Sequence, residues 1–155
     1  RQMCIRDSYK AYEDKYKGYT IRQLCQEMHD FYKERKVNVL QKHLFLKNYF
    51  PIYSMSPQEA NYELVRGHGE LIDLAEAEGR VALEGGVPYP PGVPCIQPGE
   101  KWSKTAIAYF MALAEVFNLF PGFTPELQGV YMERAADGKF HVYAQVLKKE
   151  YEKIL

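Results

Sequence analysis

Residues 103–147, SKTAIAYFMALAEVFNLFPGFTPELQGVYMERAADGKFHVYAQVL, decide the fold class, because the apolar period changes once along them, from helical to alternating. Ser103 supplies a helix cap, and Ile107, Phe110, Met111, Ala114 and Phe117 recur on one face of a helix predicted from Lys104 to about Leu119. Pro121 and Gly122 end it. From Gly129 to Arg134 and from Lys139 to Leu147 the side chains alternate about Asp137-Gly138, a dipeptide that favours the positive φ angles of hairpin turns. A helix followed by a hairpin, with no βαβ rhythm before it, places the chain in the α+β class.

Immediately upstream, Gly85 to Glu100 reads GGVPYPPGVPCIQPGE. Pro88, Pro90 and Pro91 each fix φ, and Val87, Tyr89 and Pro90 are each pushed out of the helical region by the proline that follows. Ordering a residue costs roughly 1 to 2 kcal/mol, so a loop pre-set at several consecutive positions holds a side chain with little further loss of entropy. Tyr89 is therefore a candidate substrate-contacting phenol, with Pro88, Pro90, Pro91 and Gly92 as its supporting loop. The same residues also read as a stiff surface connector, or as a PxxP segment (Pro88 to Pro91) that docks in an aromatic groove of a partner. No arginine, the usual companion of such ligands, lies next to it. The loop by itself leaves all three readings open.

Towards the N-terminus the signals are helical. Thr20 and Gln23 form a capping-box pair, and Ile21, Leu24, Cys25, Met28, Phe31 and Tyr32 recur at helical spacing, predicting a helix from about 21 to 35 with Cys25 on its core face. Val39, Leu40, His43, Leu44 and Lys47 continue in a second helical stretch limited by Pro51. Ser56-Pro57-Gln58-Glu59 combines cap, first-turn proline and capping-box glutamate, and Gly67 ends that helix. Short strands are expected at Leu71 to Leu74, Arg80 to Leu83 and near Cys95 to Gln97. The expected architecture is helices packed on a small, largely antiparallel sheet, closed by a C-terminal β-hairpin.

The chain has 155 residues, which suits one domain and is short for separate cofactor and substrate domains. Twenty Lys plus Arg balance twenty Asp plus Glu, interleaved rather than blocked, which argues against a nucleic-acid or anionic-membrane surface and leaves small ligands open. No apolar run approaches a bilayer span and no secretory signal is present, so the expected compartment is cytoplasmic. Cys4, Cys25 and Cys95 have neither CxxC spacing nor accompanying histidines, which argues against a disulfide frame or a metal site. Residues 1–8, RQMCIRDS, lack an initiating methionine and an apolar period; they read as a non-native leader, and residues 9–155 as the domain. The Tyr- and Lys-rich start at Tyr9 is what an internal piece of a longer protein would show.

No catalytic set can be assembled. Pyridoxal phosphate chemistry needs a lysine, a carboxylate facing the pyridine nitrogen and a phosphate cradle. Lys104 reads instead as solvated in a first helical turn, and Gly85-Gly86 leads into prolines rather than a helix. His29, His43, His68 and His141 are scattered over different elements, and Glu76, Glu78 and Glu84 read as solvated acids.

With the residues laid out, the chain resembles the C-terminal domain of the bacterial pyridoxal-phosphate-dependent ornithine/lysine/arginine decarboxylases, from about Gly18 through Leu147. The resemblance rests on YTIRQLCQEMHDFY at 19–32, MSPQEANYELVRG at 55–67, PYPPGV at 88–93, PGEKW at 98–102 and FPGFTPELQGVY at 120–131. PELQGVY, with Cys95 and Trp102, is most similar to the ornithine branch, whereas Pro94 is more like the lysine and arginine branches, Gln97 replaces a usual apolar residue, and Ser103-Lys104 replaces a common glycine pair. What the resemblance implies is a cytoplasmic enzyme that converts ornithine to putrescine and carbon dioxide, with lysine or arginine decarboxylation as the alternative. It further implies an upstream domain that binds pyridoxal 5'-phosphate, homodimers built into a larger homo-oligomer, and Tyr89 lining the amino-acid pocket. The piece alone would then be inactive. A free-standing interaction domain using the PxxP loop, or the aromatic residues from Tyr49 to Tyr53, is the reading of another class.

Overall fold

The computed structural model describes residues 2–89 and 92–152. Two residues of the expected supporting loop, Pro90 and Pro91, thus lie outside the described residues. Four helices come first: α1 (Gln2–Ala11), α2 (Glu13–Tyr16), α3 (Ile21–Glu34) and α4 (Val37–Leu44). Then come β1 (Ile52–Tyr53), α5 (Pro57–Val65), β2 (Gly69–Asp73), β3 (Val87–Tyr89) and β4 (Glu100–Lys101). The chain continues through α6 (Lys104–Leu119), β5 (Glu126–Gln128), β6 (Tyr131–Arg134), β7 (Phe140–Leu147) and α7 (Lys149–Glu152).

Where the sequence carries complete caps, the helices start as expected. The Thr20 and Ser56 side chains each accept from the backbone N–H three residues on, and Gln23 and Glu59 return the bond. Ser103 caps α6, whose wide apolar surface buries Ile107, Tyr109, Phe110 and Leu113. α6 lies against α4 and β7, and Trp102, Ile96, Phe110, Ala144 and Val146 fill the space between.

Every strand pairing is antiparallel: β2-β7-β6 form a three-stranded sheet, and β1-β4 and β3-β5 form two-stranded ribbons. The C-terminal hairpin β6-β7 turns through residues 135–139, where Gly138 takes φ +79° and Asp137 accepts from the Lys139 N–H at 2.9 Å. The expected α+β architecture is thereby realised, divided among three sheets.

Four expectations are corrected, concerning Cys25, the second helical stretch and two strands. Residues 2–8, read from the sequence as part of a leader, fall within α1 (Gln2–Ala11). It leads to Tyr9, whose hydroxyl donates to the Tyr16 carbonyl at 2.6 Å, while the Tyr16 hydroxyl donates to the Pro121 carbonyl at 2.9 Å. Cys25 is exposed, not in the core, because the inward stripe of α3 runs through Leu24, Met28 and Phe31, and Cys25 sits one residue round from it. The second helical stretch is split: Lys36 at φ 52° separates α3 from α4, α4 stops at Leu44, and Lys47–Tyr49 form a separate 3-10 turn. Phe45 and Leu46 are half-exposed, so packing gives the helix no reason to continue.

The last two corrections concern strands. Arg80 to Leu83 is not one; it threads between β7 and β4 and bonds to each side in turn. The Ala82 N–H donates to Glu100, the Leu83 N–H to Gln145, and the Val81 carbonyl accepts from Leu147. Cys95 to Gln97 is likewise no strand and makes only the single bridge Gly86↔Ile96. The strand of this region is β3, inside the proline loop itself. Arg80 is buried and donates to Glu70, Glu152 and the Leu147 carbonyl, tying β2, the end of β7 and α7 together.

Candidate functional site

The β3-β5 ribbon sorts its side chains by strand alternation. Pro88 faces Leu127, and both turn inward: Pro88 is fully buried, and Leu127 packs on the main core. Pro88 borders a small void lined by Leu44, Phe45, Val93, Cys95 and Tyr109. Its missing N–H is tolerated because the ribbon has only two strands. Pro88, buried against the core within β3, has no face left for an aromatic groove, while Pro91, the other proline of the PxxP reading, lies outside the described residues.

On the outer face, Val87 stands opposite Gln128 and Tyr89 opposite Glu126. The Tyr89 side chain is 55% exposed. Beneath it, Gly92 takes φ +79° and donates its N–H to the Pro88 carbonyl at 3.0 Å, closing a tight turn. A Cβ at Gly92 would come within 2.8 Å of the Tyr89 ring carbons Cδ2 and Cε2, so the ring rests directly over the glycine. The phenol is therefore held from below and free above.

Glu126 is the carboxylate of this face. The Gln128 side-chain amide donates to its Oε1 at 2.7 Å. Directly opposing residues of an antiparallel pair have Cβ atoms roughly 4.5 to 5.5 Å apart, so Glu126 and Tyr89 are cross-strand neighbours, the carboxylate turned towards Gln128 and the ring lying over Gly92. At the far end of the ribbon, Gly129 takes φ +71°, and a Cβ there would come within 2.0 Å of the Gly85 carbonyl oxygen; only glycine admits this approach. Beyond it, the Tyr131 hydroxyl donates to Glu84, and this bond, with partial burial, raises the Tyr131 phenol above its usual range. Glu84 is thus not the freely solvated acid the sequence implied.

The structure brings Tyr89, Pro88 and Gly92 together around one turn. Glu126 and Gln128 were missed. They lie within the PELQGVY motif, but no local pattern ties position 126 to position 89; that relation exists only in the register of two strands 37 residues apart.

Other titratable groups are engaged elsewhere. His68 stacks on Tyr151 with centroids 3.7 Å apart and meets Glu63 at 2.5 Å; His141 lies between Asp137 and Asp73; His43 stacks on Tyr49. Burial pushes the Cys95 thiol up to about 11, which makes it inert packing under the ribbon. Among the described residues no group of three or more His, Cys, Asp or Glu is placed to hold a metal ion. Nor do they fit pyridoxal phosphate. Lys104 is exposed in the first turn of α6, the Ser103 hydroxyl is used in capping Ala106, and Gly85-Gly86 leads into a strand rather than a phosphate-binding helix.

The family model described as Orn/Lys/Arg decarboxylase, C-terminal domain, matches residues 38–148. The chain is 58% identical over 139 residues to an ornithine decarboxylase of Haemophilus influenzae, covering 90% of this chain and 19% of that protein. It is 56% identical over 140 residues to an inducible ornithine decarboxylase of Escherichia coli, again covering 90% of this chain and 19% of that protein. Among solved structures, the constitutive lysine decarboxylase of E. coli superposes with a TM-score of 0.78 at 30% identity, covering 93% of this chain and 20% of that one. The chain spans about a fifth of the length of the relatives it matches.

Proposed function

The chain belongs to the Orn/Lys/Arg decarboxylase family through its C-terminal domain, and from that premise we propose that it completes the substrate pocket of a full-length ornithine decarboxylase. The observation that carries this reading is Tyr89: a phenol fixed on a short ribbon by a buried proline and a glycine turn, half-exposed in a module that is one fifth of its relatives. An exposed side chain seldom receives so much local support without something to contact. Its part is positioning, by lining the pocket and orienting the bound amino acid.

Ornithine is the proposed substrate because identity is 58% and 56% to two ornithine decarboxylases and 30% to the solved lysine decarboxylase. Lysine or arginine decarboxylation is the nearest alternative. The cofactor in this reading is pyridoxal 5'-phosphate, bound by the upstream domain, and it supplies the electron-accepting ring for loss of carbon dioxide. The residues of this chain supply one wall, exclude water and hold the substrate. The remaining partners proposed are the same protein as a homodimer and higher homo-oligomer, in the cytoplasm. Interleaved charge speaks against nucleic acid, and among the described residues no helix is long and apolar enough to cross a membrane.

Three measurements test the reading. The full-length gene product, assayed on ornithine, lysine and arginine, is expected to show its highest kcat/KM on ornithine; a preference for lysine or arginine would replace the substrate. In the same enzyme Tyr89→Phe is expected to raise KM or lower kcat severalfold, and unchanged steady-state kinetics would remove Tyr89 from the pocket. The 155-residue chain supplied with cofactor and ornithine should form no putrescine above a buffer blank.

A further inference from the structure

We infer that Glu126 receives the side-chain ammonium of the diamino-acid substrate beside Tyr89, and that the reach of its carboxylate sets which substrate length is preferred. The inference rests on the proposal that the β3-β5 face is a pocket wall, and names what that wall recognises.

Four side chains occupy the outer face: Val87, Tyr89, Glu126 and Gln128. Glu126 alone among them is charged. It is exposed, and its one hydrogen bond among the described residues comes from the neutral Gln128 amide, which engages Oε1; no Lys, Arg or His of the described residues pairs with it. The carboxylate is therefore oriented without being neutralised. Once the rest of the polypeptide covers this face, water is withdrawn and an unmatched carboxylate becomes costly. A cation must then stand against it.

The substrates for which the relatives are named, ornithine and lysine, share a terminal ammonium and differ by one methylene. An ammonium offers three donors and no acceptor. A free carboxylate oxygen and a phenol oxygen at neighbouring cross-strand positions can accept two of them. Because Glu and Asp also differ by one methylene, shortening the carboxylate makes room for the longer substrate.

The test uses the full-length enzyme with ornithine and lysine. Glu126→Gln keeps the shape and the contact with Gln128 but removes the charge. A hydrogen bond to a charged group is worth roughly ten- to 150-fold, so KM for ornithine should rise by at least about tenfold, with kcat, the cofactor absorbance band and the oligomer size unchanged. Glu126→Asp should shift the lysine-to-ornithine ratio of kcat/KM towards lysine by about tenfold or more, within the range that one methylene sets in a pocket. A Gln variant whose KM stays within twofold of the parent would overturn the inference. So would a loss of oligomer or cofactor occupancy with an unchanged KM in the remaining active enzyme, which would make Glu126 an ion-pair partner of the upstream domain. Tyr89→Phe run in parallel separates the two levels: an effect there without one at Glu126 sinks only this inference, and no effect at either sinks the pocket wall as well.

Discussion

Gly92 is where one residue fixes the geometry of the site. Its φ of +79° lies in the left-handed region, and the Tyr89 ring occupies the space a Cβ would need. Gly92→Ala should therefore destabilise the chain by about 1–2 kcal/mol through backbone strain and displace the ring. Urea unfolding reads the first effect, and the Tyr89 ring signals in an NMR spectrum read the second. An Ala variant with unchanged stability and ring signals would contradict the packing described. The cysteines give a second residue-scale expectation. Cys25 is exposed, whereas Cys95 is buried with its thiol pushed up to about 11, so iodoacetamide at pH 8 should label Cys25 fast and Cys95 slowly if at all. Peptide mass mapping checks this, and equal labelling would mean the core under the ribbon opens readily. The placing of Tyr89 over a tight turn was legible in the sequence because Pro88 and Gly92, which support it, are its chain neighbours. Glu126 was not, because its place beside Tyr89 follows from strand register rather than from any local pattern.

At the scale of elements the same distinction holds. α3, α5 and α6 could be read because each carries its own cap, with an apolar stripe in α3 and α6 and a glycine beyond the end of α5 and α6, and the hairpin β6-β7 because its turn is local. β3 and β5 contain or follow prolines and find one another only through the fold. The Arg80–Leu83 segment alternates its bonds between two distant neighbours, which no period records. The helix α5 also carries a pH response. The Glu63 carboxyl is held below the usual glutamate range first by its hydrogen bond with His68, against the opposing effect of burial, and then by Arg66. A carboxyl lowered in the folded state adds stability that is complete above its unfolded value, about 4.3. That stability is lost as the pH falls through the lower folded value. Glu63→Gln should accordingly be less stable than the parent at pH 7, with the gap narrowing as the pH falls below about 4.3 in matched urea titrations. A gap that does not narrow on acidification would show that the hydrogen bonds of the Glu63 carboxylate to His68 and Arg66 are not its source.

For the molecule as a whole, the arrangement is a closed core with open faces. Trp102, Phe110, Leu74, Ile96 and Val146 are almost wholly buried, yet Phe45, Phe50, Ile52, Tyr53 and the ribbon phenol Tyr89 are each at least half-exposed. In the proposed reading these aromatic outer faces are covered by other parts of a longer polypeptide. The fold class was legible because it follows from the order of local elements; which faces stay exposed depends on how those elements pack. The central claim is that the β3-β5 ribbon closes a substrate pocket, and the structure of the full-length enzyme with its cofactor and ornithine bound tests it most directly. The account predicts the Tyr89 ring in van der Waals contact with the bound amino acid, with its hydroxyl turned to the ligand. A ribbon facing bulk solvent, or buried in a contact remote from the ligand, would contradict it.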